Sequence, residues 1–201
     1  MAFNTALKLA GLVVVLIVII ALMSSVWPTN EDEFIEFGLL GKNKTADAYF
    51  PNANAELGVG AQSNWYIYVH NHMGSAQKVS VRIKLLNSTM QLSNERENEP
   101  SSYSSFFEWS SSLYANETAL LPFVWSIAKA TRQNNSVAIE NLIVNGQEVK
   151  VDVESIFPYT FYVTFELWTF DSSLGEYKFG WESEKGLSFA TLNMGFDVVL
   201  P

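Results

Sequence analysis

The chain has no cysteine among its 201 residues. That absence excludes a disulfide scaffold, a thiolate metal site and a cysteine nucleophile together. Basic residues are also scarce, with 12 Lys and Arg against 21 Asp and Glu and a net charge of -9. A phosphate backbone or an anionic lipid surface is repelled by such a chain, so nucleic acid is not expected as a partner. Histidine occurs only at His70 and His72. No nucleophile elbow is present, triad residues cannot be picked without one, and the chain reads as non-enzymatic.

Only one long hydrophobic run exists, Leu9 to Met23, with Lys8 before it and Ser24-Ser25-Val26-Trp27-Pro28 after it. With its flanks it approaches the roughly 20 residues needed to cross a bilayer. A cleaved signal peptide is the competing reading, but the residues after Ala21 make a poor small-residue cleavage site. The expectation is a membrane anchor, with Trp27 at the interface and Pro28 ending the helix. Lys8 on one side and Glu31-Asp32-Glu33 on the other leave the N-terminus in the cytoplasm. Residues 1–28 are thus expected to form a short tail and transmembrane helix, and residues 29–201 an extracytoplasmic domain at the cell membrane. The acidic run reads as a solvated linker.

Beyond the anchor the apolar period changes to two. Val79, Val81, Ile83 and Leu85 alternate with Ser80, Arg82 and Lys84, and Tyr159 to Leu167 alternates likewise. Each reads as a half-buried strand with one core face and one wet face. Trp65, Ile67 and Val69 form a third inward row, and the turn-like Met73-Gly74-Ser75-Ala76 predicts a hairpin into the Val79 strand. Asn145-Gly146, between β-rich runs, predicts a type I′ hairpin. Asp171 to Gly175 reads as another turn, Leu187 to Leu200 as a closing strand, and residues 87–116 as a long loop with a short strand at Phe106 to Trp109. Ala119 to Ala130 suits a strand start, with a helical turn possible over Ser126 to Arg132. The sum predicts a mainly β protein, an immunoglobulin-like antiparallel β-sandwich.

Four sequons, at Asn43, Asn87, Asn116 and Asn134, fall at expected turns and mark glycosylation sites if the domain faces outward. His70 and His72 are two apart on a strand and project to one face with Tyr66 and Tyr68. With Met73 they could form part of a copper or zinc site, Asp47 or Asp171 supplying a further ligand. Ending a strand and bonding within its turn is the structural alternative. Asp171 and Glu176 flank a glycine turn that lacks the ligand repeat of a Ca²⁺ loop. Trp109, Trp125, Trp168 and Trp181 are core candidates, with sugar stacking the functional alternative.

Phe34 to Gly41, Ala46 to Pro51, Val59-Gly60 and Val69-His70-Asn71-His72 together resemble the opening of an uncharacterised archaeal membrane-protein family, domain of unknown function sixteen-sixteen. The resemblance is to its run "F-x-E-F/Y-x-L-L-G … Y-P … V-G … V-x-N-H-E". More weakly, Phe161 to Phe170 is similar to its closing "F-x-L-F/Y-K-D-G". The resemblance implies an extracytoplasmic β-domain and singles out Asn71 and His72 as residues that hold a turn. The family's Glu after Asn-His is Met73 here, so no role of that Glu carries over. The expected function is a surface protein that binds another envelope or membrane protein, or a glycan, as an accessory subunit. A metal-binding module and a pilin-like filament subunit are the alternatives.

Overall fold

The computed structural model describes residues 33–51, 54–94, 99–183, 186–188 and 191–200. The expected membrane anchor in 1–28 lies outside the described residues. Among the described residues, no helix is long and apolar enough to cross a membrane. From Glu33 onward the described residues form one compact unit.

That unit is mainly β. One sheet holds, in spatial order, β1 (Ile35–Leu40), β3 (Gln62–Asn71), β6 (Thr118–Gln133), β7 (Ser136–Val144) and β8 (Gln147–Ile156). The other holds β2 (Glu56–Leu57), β13 (Thr191–Val198), β9 (Thr160–Asp171), β4 (Gln77–Asn87) and β5 (Phe107–Leu113), with β10 (Glu176–Phe179) also paired to β9. A small separate pair joins β11 (Trp181–Ser183) to β12 (Gly186–Ser188). Pairing is antiparallel throughout except between β13 and β2.

The two sheets face each other across one core. Trp65 of β3, fully buried, packs edge-on to Trp125 at 5.2 Å and meets Phe165 of the opposite sheet at 5.8 Å. Phe123 reaches Phe165 at 5.6 Å, and Trp125 reaches Phe196 at 5.2 Å. The three apolar rows of β3, β4 and β9 are all buried here.

Three expectations change. The rows of β3 and β4 are not a hairpin: β3 pairs with β1 and β6, and β4 with β5 and β9. Residues 72–76 carry the chain from one sheet to the other, so the two rows meet face to face across the core instead of sharing one sheet face. No helical turn forms over Ser126 to Arg132, because those residues continue the 16-residue β6 and pair with β7 through a register shift near Lys129. Pro122 is tolerated in β6 because its missing N–H points as that of Val124 does, toward the β7 side, where β7 has ended at Val144 opposite Trp125. The short strand expected at Phe106 to Trp109 is β5, which starts at Phe107 and extends to Leu113.

The Asn145-Gly146 hairpin forms, with Val144 opposite Gln147 and φ of 48° and 82° at the two turn residues. A side chain other than hydrogen at Gly146 would be strained at that φ. The turn before β10 also forms, with Asp171 opposite Glu176.

A fourth change concerns the wet face of β4 and β9. Ser80, Lys84, Leu86, Thr164 and Glu166 point away from the core, yet all are buried. Ser93 and Ser101, from the connection between β4 and β5, reach over Lys84 and Glu166, while Ser80 bonds Glu108 and Thr164 bonds Asn193. The Glu166 carboxylate accepts hydrogen bonds from Ser93 Oγ at 2.7 Å, Ser101 N at 2.8 Å and Trp168 Nε1 at 3.2 Å, and pairs with Lys84 Nζ at 2.8 Å. Lys84 Nζ donates also to the Ser101 carbonyl. A buried ion pair is tolerable when its remaining valences are filled, and the loop fills them.

Candidate binding face and adjoining groove

Among the described residues, the outer face of the first sheet has no such cover. Along β3 it presents Tyr66, Tyr68 and His70, followed by His72, all partly exposed. The cross-strand neighbours are Leu40 and Pro122 beside Tyr66, Gly38 and Leu120 beside Tyr68, and Glu36 and Thr118 beside His70. Leu120 is 37% exposed, which makes the row continuous with apolar surface.

The two histidines share this face, their ring centroids 4.0 Å apart. Phe34 stacks on His72 at 4.1 Å, and the His70 ring nitrogen Nδ1 bonds the Thr118 hydroxyl. The carboxylate that approaches them is Glu36, neither Asp47 nor Asp171. Its Oε2 lies 3.4 Å from His72 Nε2 and accepts from the Tyr68 hydroxyl at 3.1 Å. Burial, and then the bond to Glu36 and its charge, raise the Tyr68 phenol above its ordinary 10.0. Met73 departs from the expected set, since its side chain joins the core on the opposite side from the imidazoles. Among the described residues, no three His, Cys, Asp or Glu side chains are grouped to hold a metal ion.

Asn71, between the histidines, is fully buried and holds the turn. Its Nδ2 donates to the carbonyls of Ser75, Leu113 and Tyr114 at 2.9, 3.0 and 3.0 Å, and its Oδ1 accepts from Met73 N at 2.9 Å. One side chain thereby ties the end of β3 to the crossing segment and to the β5–β6 turn. Glu33 reaches the same place, accepting from Gly74 N at 3.2 Å.

The sequons divide. Asn43, Asn116 and Asn134 are exposed, the last two in turns with φ of 60° and 52°. Asn87 is 8% exposed, its Nδ2 donating to the Glu154 carbonyl at 2.5 Å and its Oδ1 accepting from Thr89 and Met90. The nitrogen a glycan would need there is committed inside the fold.

A groove of about 290 Å³ adjoins the same end of the sandwich, between the crossing segment and the β9–β10 turn. Met73, Gln77, Asp171, Ser172, Lys178 and Trp181 are among its lining residues. Asp171 Oδ2 pairs with Lys178, and Oδ1 accepts from Ser173 N at 2.8 Å and Ser173 Oγ at 2.5 Å. The Lys178 bond first, then those from Ser173, hold the Asp171 carboxyl well below its ordinary range. Of the four tryptophans singled out from the sequence, Trp125 is buried and Trp109 packs partly against the core. Trp168 lies under the Arg82 guanidinium at 3.9 Å, and Trp181 borders the groove.

Neither the buried ion pair nor the groove was named by sequence reasoning. The available signal was opposite charge at wet positions of two strongly patterned strands, Lys84 and Glu166.

No family model and no curated protein matches the chain. Among solved structures it is similar to the CARDB domain of a Pyrococcus furiosus protein crystallised in complex with di-metal ions. The identity is 12% and the TM-score 0.40, over 84% of this chain and 90% of that one. A solution NMR structure of the same domain matches at 13% identity and a TM-score of 0.38, over 84% and 99%. A β-glucosidase from Listeria innocua in complex with gluconolactone matches at 15% identity and a TM-score of 0.32, over 64% of this chain but 17% of that one. At such scores these likenesses carry no functional argument.

Proposed function

We propose that this chain is a non-enzymatic surface protein, anchored in the cell membrane by residues 9–23, whose immunoglobulin-like sandwich binds a second envelope or membrane protein as an accessory subunit. One observation carries the reading: one outer sheet face has its centre, Lys84 and Glu166, closed by the chain's own loop, while among the described residues the other keeps a line of partly exposed rings, Tyr66, Tyr68, His70 and His72. Aromatic side chains at a sheet surface are the residue types that anchor protein interfaces, because they bury large area at small entropic cost. Three of the segments that resemble the archaeal family meet at this end of the sheet: Phe34 stacks on His72, and Tyr49 donates to the Leu39 carbonyl at 3.0 Å. The outward orientation makes Asn43, Asn116 and Asn134 the sequons open to glycosylation.

The test is mild-detergent capture of the full-length protein from its own membranes, beside a Tyr68→Ser, His70→Ser double variant. A stoichiometric membrane-protein partner retained by the wild type and lost by the variant is expected. A wild-type chain that runs alone and monomeric in every detergent overturns the accessory-subunit reading.

A further inference from the structure

The groove between the crossing segment and the β9–β10 turn has a chemistry different from that of the open face. Its polar rim carries no net charge: the Lys178 ammonium is paired with the Asp171 carboxylate, while Gln77 and Ser172 add uncharged donors and acceptors. A cation entering it meets Lys178, and an anion meets Asp171, so neither charge is favoured. A neutral ligand bearing several hydroxyls suits such a rim, because each hydroxyl both donates and accepts. Trp181, partly exposed at the wall, offers the flat apolar surface on which the C–H face of a sugar ring packs. The groove's 290 Å³ is the scale of a mono- or disaccharide rather than of a folded partner.

The geometry points to this groove as a binding site for a neutral saccharide, with Trp181 as the stacking surface and Gln77, Ser172 and the Asp171–Lys178 pair as the hydrogen-bonding rim. This goes beyond the docking reading, uses other residues and can stand or fall alone. The rim is held in place by the turn. Asp171 Oδ1 takes the Ser173 bonds, Thr169 Oγ1 donates to the Gly180 carbonyl at 2.5 Å, and Lys78 lies over Phe170 at 5.0 Å on the adjoining strand. The site is therefore preformed and loses little entropy on binding.

The experiment is ligand-observed saturation-transfer NMR on the full-length chain in a detergent without a sugar headgroup. The probes are glucose, mannose, N-acetylglucosamine and their β- and α-linked disaccharides. Inorganic phosphate and Ca²⁺ serve as competitors. Saturable transfer to at least one neutral sugar is expected, weakened about tenfold by Trp181→Ala, the loss expected from removing one stacked ring. It should be largely kept by Trp181→Phe, lowered by Gln77→Ala, and untouched by Tyr68→Ser, His70→Ser. Should Trp181→Ala lose its cooperative thermal transition, Gln77→Ala and Ser172→Ala decide. No saturable transfer to any probe, transfer indifferent to the groove variants, or displacement by phosphate or Ca²⁺ overturns the assignment.

Discussion

The outer faces of the two sheets make an instructive pair. The face carrying Arg82, Lys84, Thr164 and Glu166 has the charges of a solvated surface, yet its centre is closed to water. The face carrying Tyr66, Tyr68, His70 and Leu120 has the rings of an interior and is open. Polarity of a strand position thus says which residues share a face, and not which face will be covered. Cover came from elsewhere, from a Ser- and Asn-rich segment whose backbone N–H and carbonyl at Ser101 complete a buried ion pair. Ser93 and Ser101 reach over the charged face, whereas on the ring-bearing face the described residues leave Tyr66, Tyr68, His70 and His72 partly exposed.

The difference can be broken most severely at Glu166. Glu166→Ala leaves the Lys84 ammonium buried without its partner and strips Ser93, Ser101 and Trp168 of their acceptor. Such an uncompensated charge costs about 3–5 kcal/mol. Denaturant unfolding should show the loss, and limited proteolysis should cut within 88–106 before the rest of the chain unfolds. A joint Lys84→Met, Glu166→Leu replacement should instead lie within about 1–2 kcal/mol of the wild type, because no charge is stranded.

At the seam between the sheets, Asn71→Ala should cost about 2–3 kcal/mol, since it strips the buried Leu113 carbonyl and the buried Met73 N–H of their side-chain partner. The same denaturant series measures it. On the open face the double replacement Tyr68→Ser, His70→Ser should change stability by less than about 1 kcal/mol, the ordinary range for surface positions. Equal losses on the two faces would erase the contrast.

The smallest effects concern charge and metal. Asp171 has a depressed carboxyl, so what it adds to stability is complete above its unfolded value of 3.8 and is lost as pH falls through the lower folded value. The difference in thermal midpoint between the wild type and Asp171→Asn should therefore be present near neutral pH and shrink on acidification below about pH 3. Metal analysis of the full-length chain, purified without a histidine tag, should find no stoichiometric copper or zinc, since Met73 faces the core and Thr118 engages His70 Nδ1.

Much of the architecture could be read in advance from local pattern. The alternation in β3, β4 and β9 named core residues that are indeed buried, and Asn145-Gly146 placed its hairpin to the residue, because side-chain period and positive φ are properties of a few adjacent residues. His70 and His72 share the face expected of them for the same reason. What failed was partner choice. Residues 72–76 are as short as a hairpin loop and as polar, and nothing local distinguishes a turn within one sheet from a crossing between two. Glu36 as the carboxylate beside the histidines, and Asn87 as a sequon with its nitrogen turned inward, depend on strands more than thirty residues away.

The sequence by itself determined the β character, the inward rows, the turn at Asn145-Gly146 and the absence of thiol chemistry, each through composition or through the two-residue period of an extended chain. Only the tertiary structure decided which rows face each other, that Lys84 and Glu166 neutralise one another under a loop, that Met73 leaves the histidine face, and that Gln77, Asp171, Lys178 and Trp181 meet around one groove. Those outcomes rest on long-range pairing and on the cost of leaving a buried polar group unsatisfied, and both are set by what the rest of the chain brings near, not by a residue's neighbours in sequence.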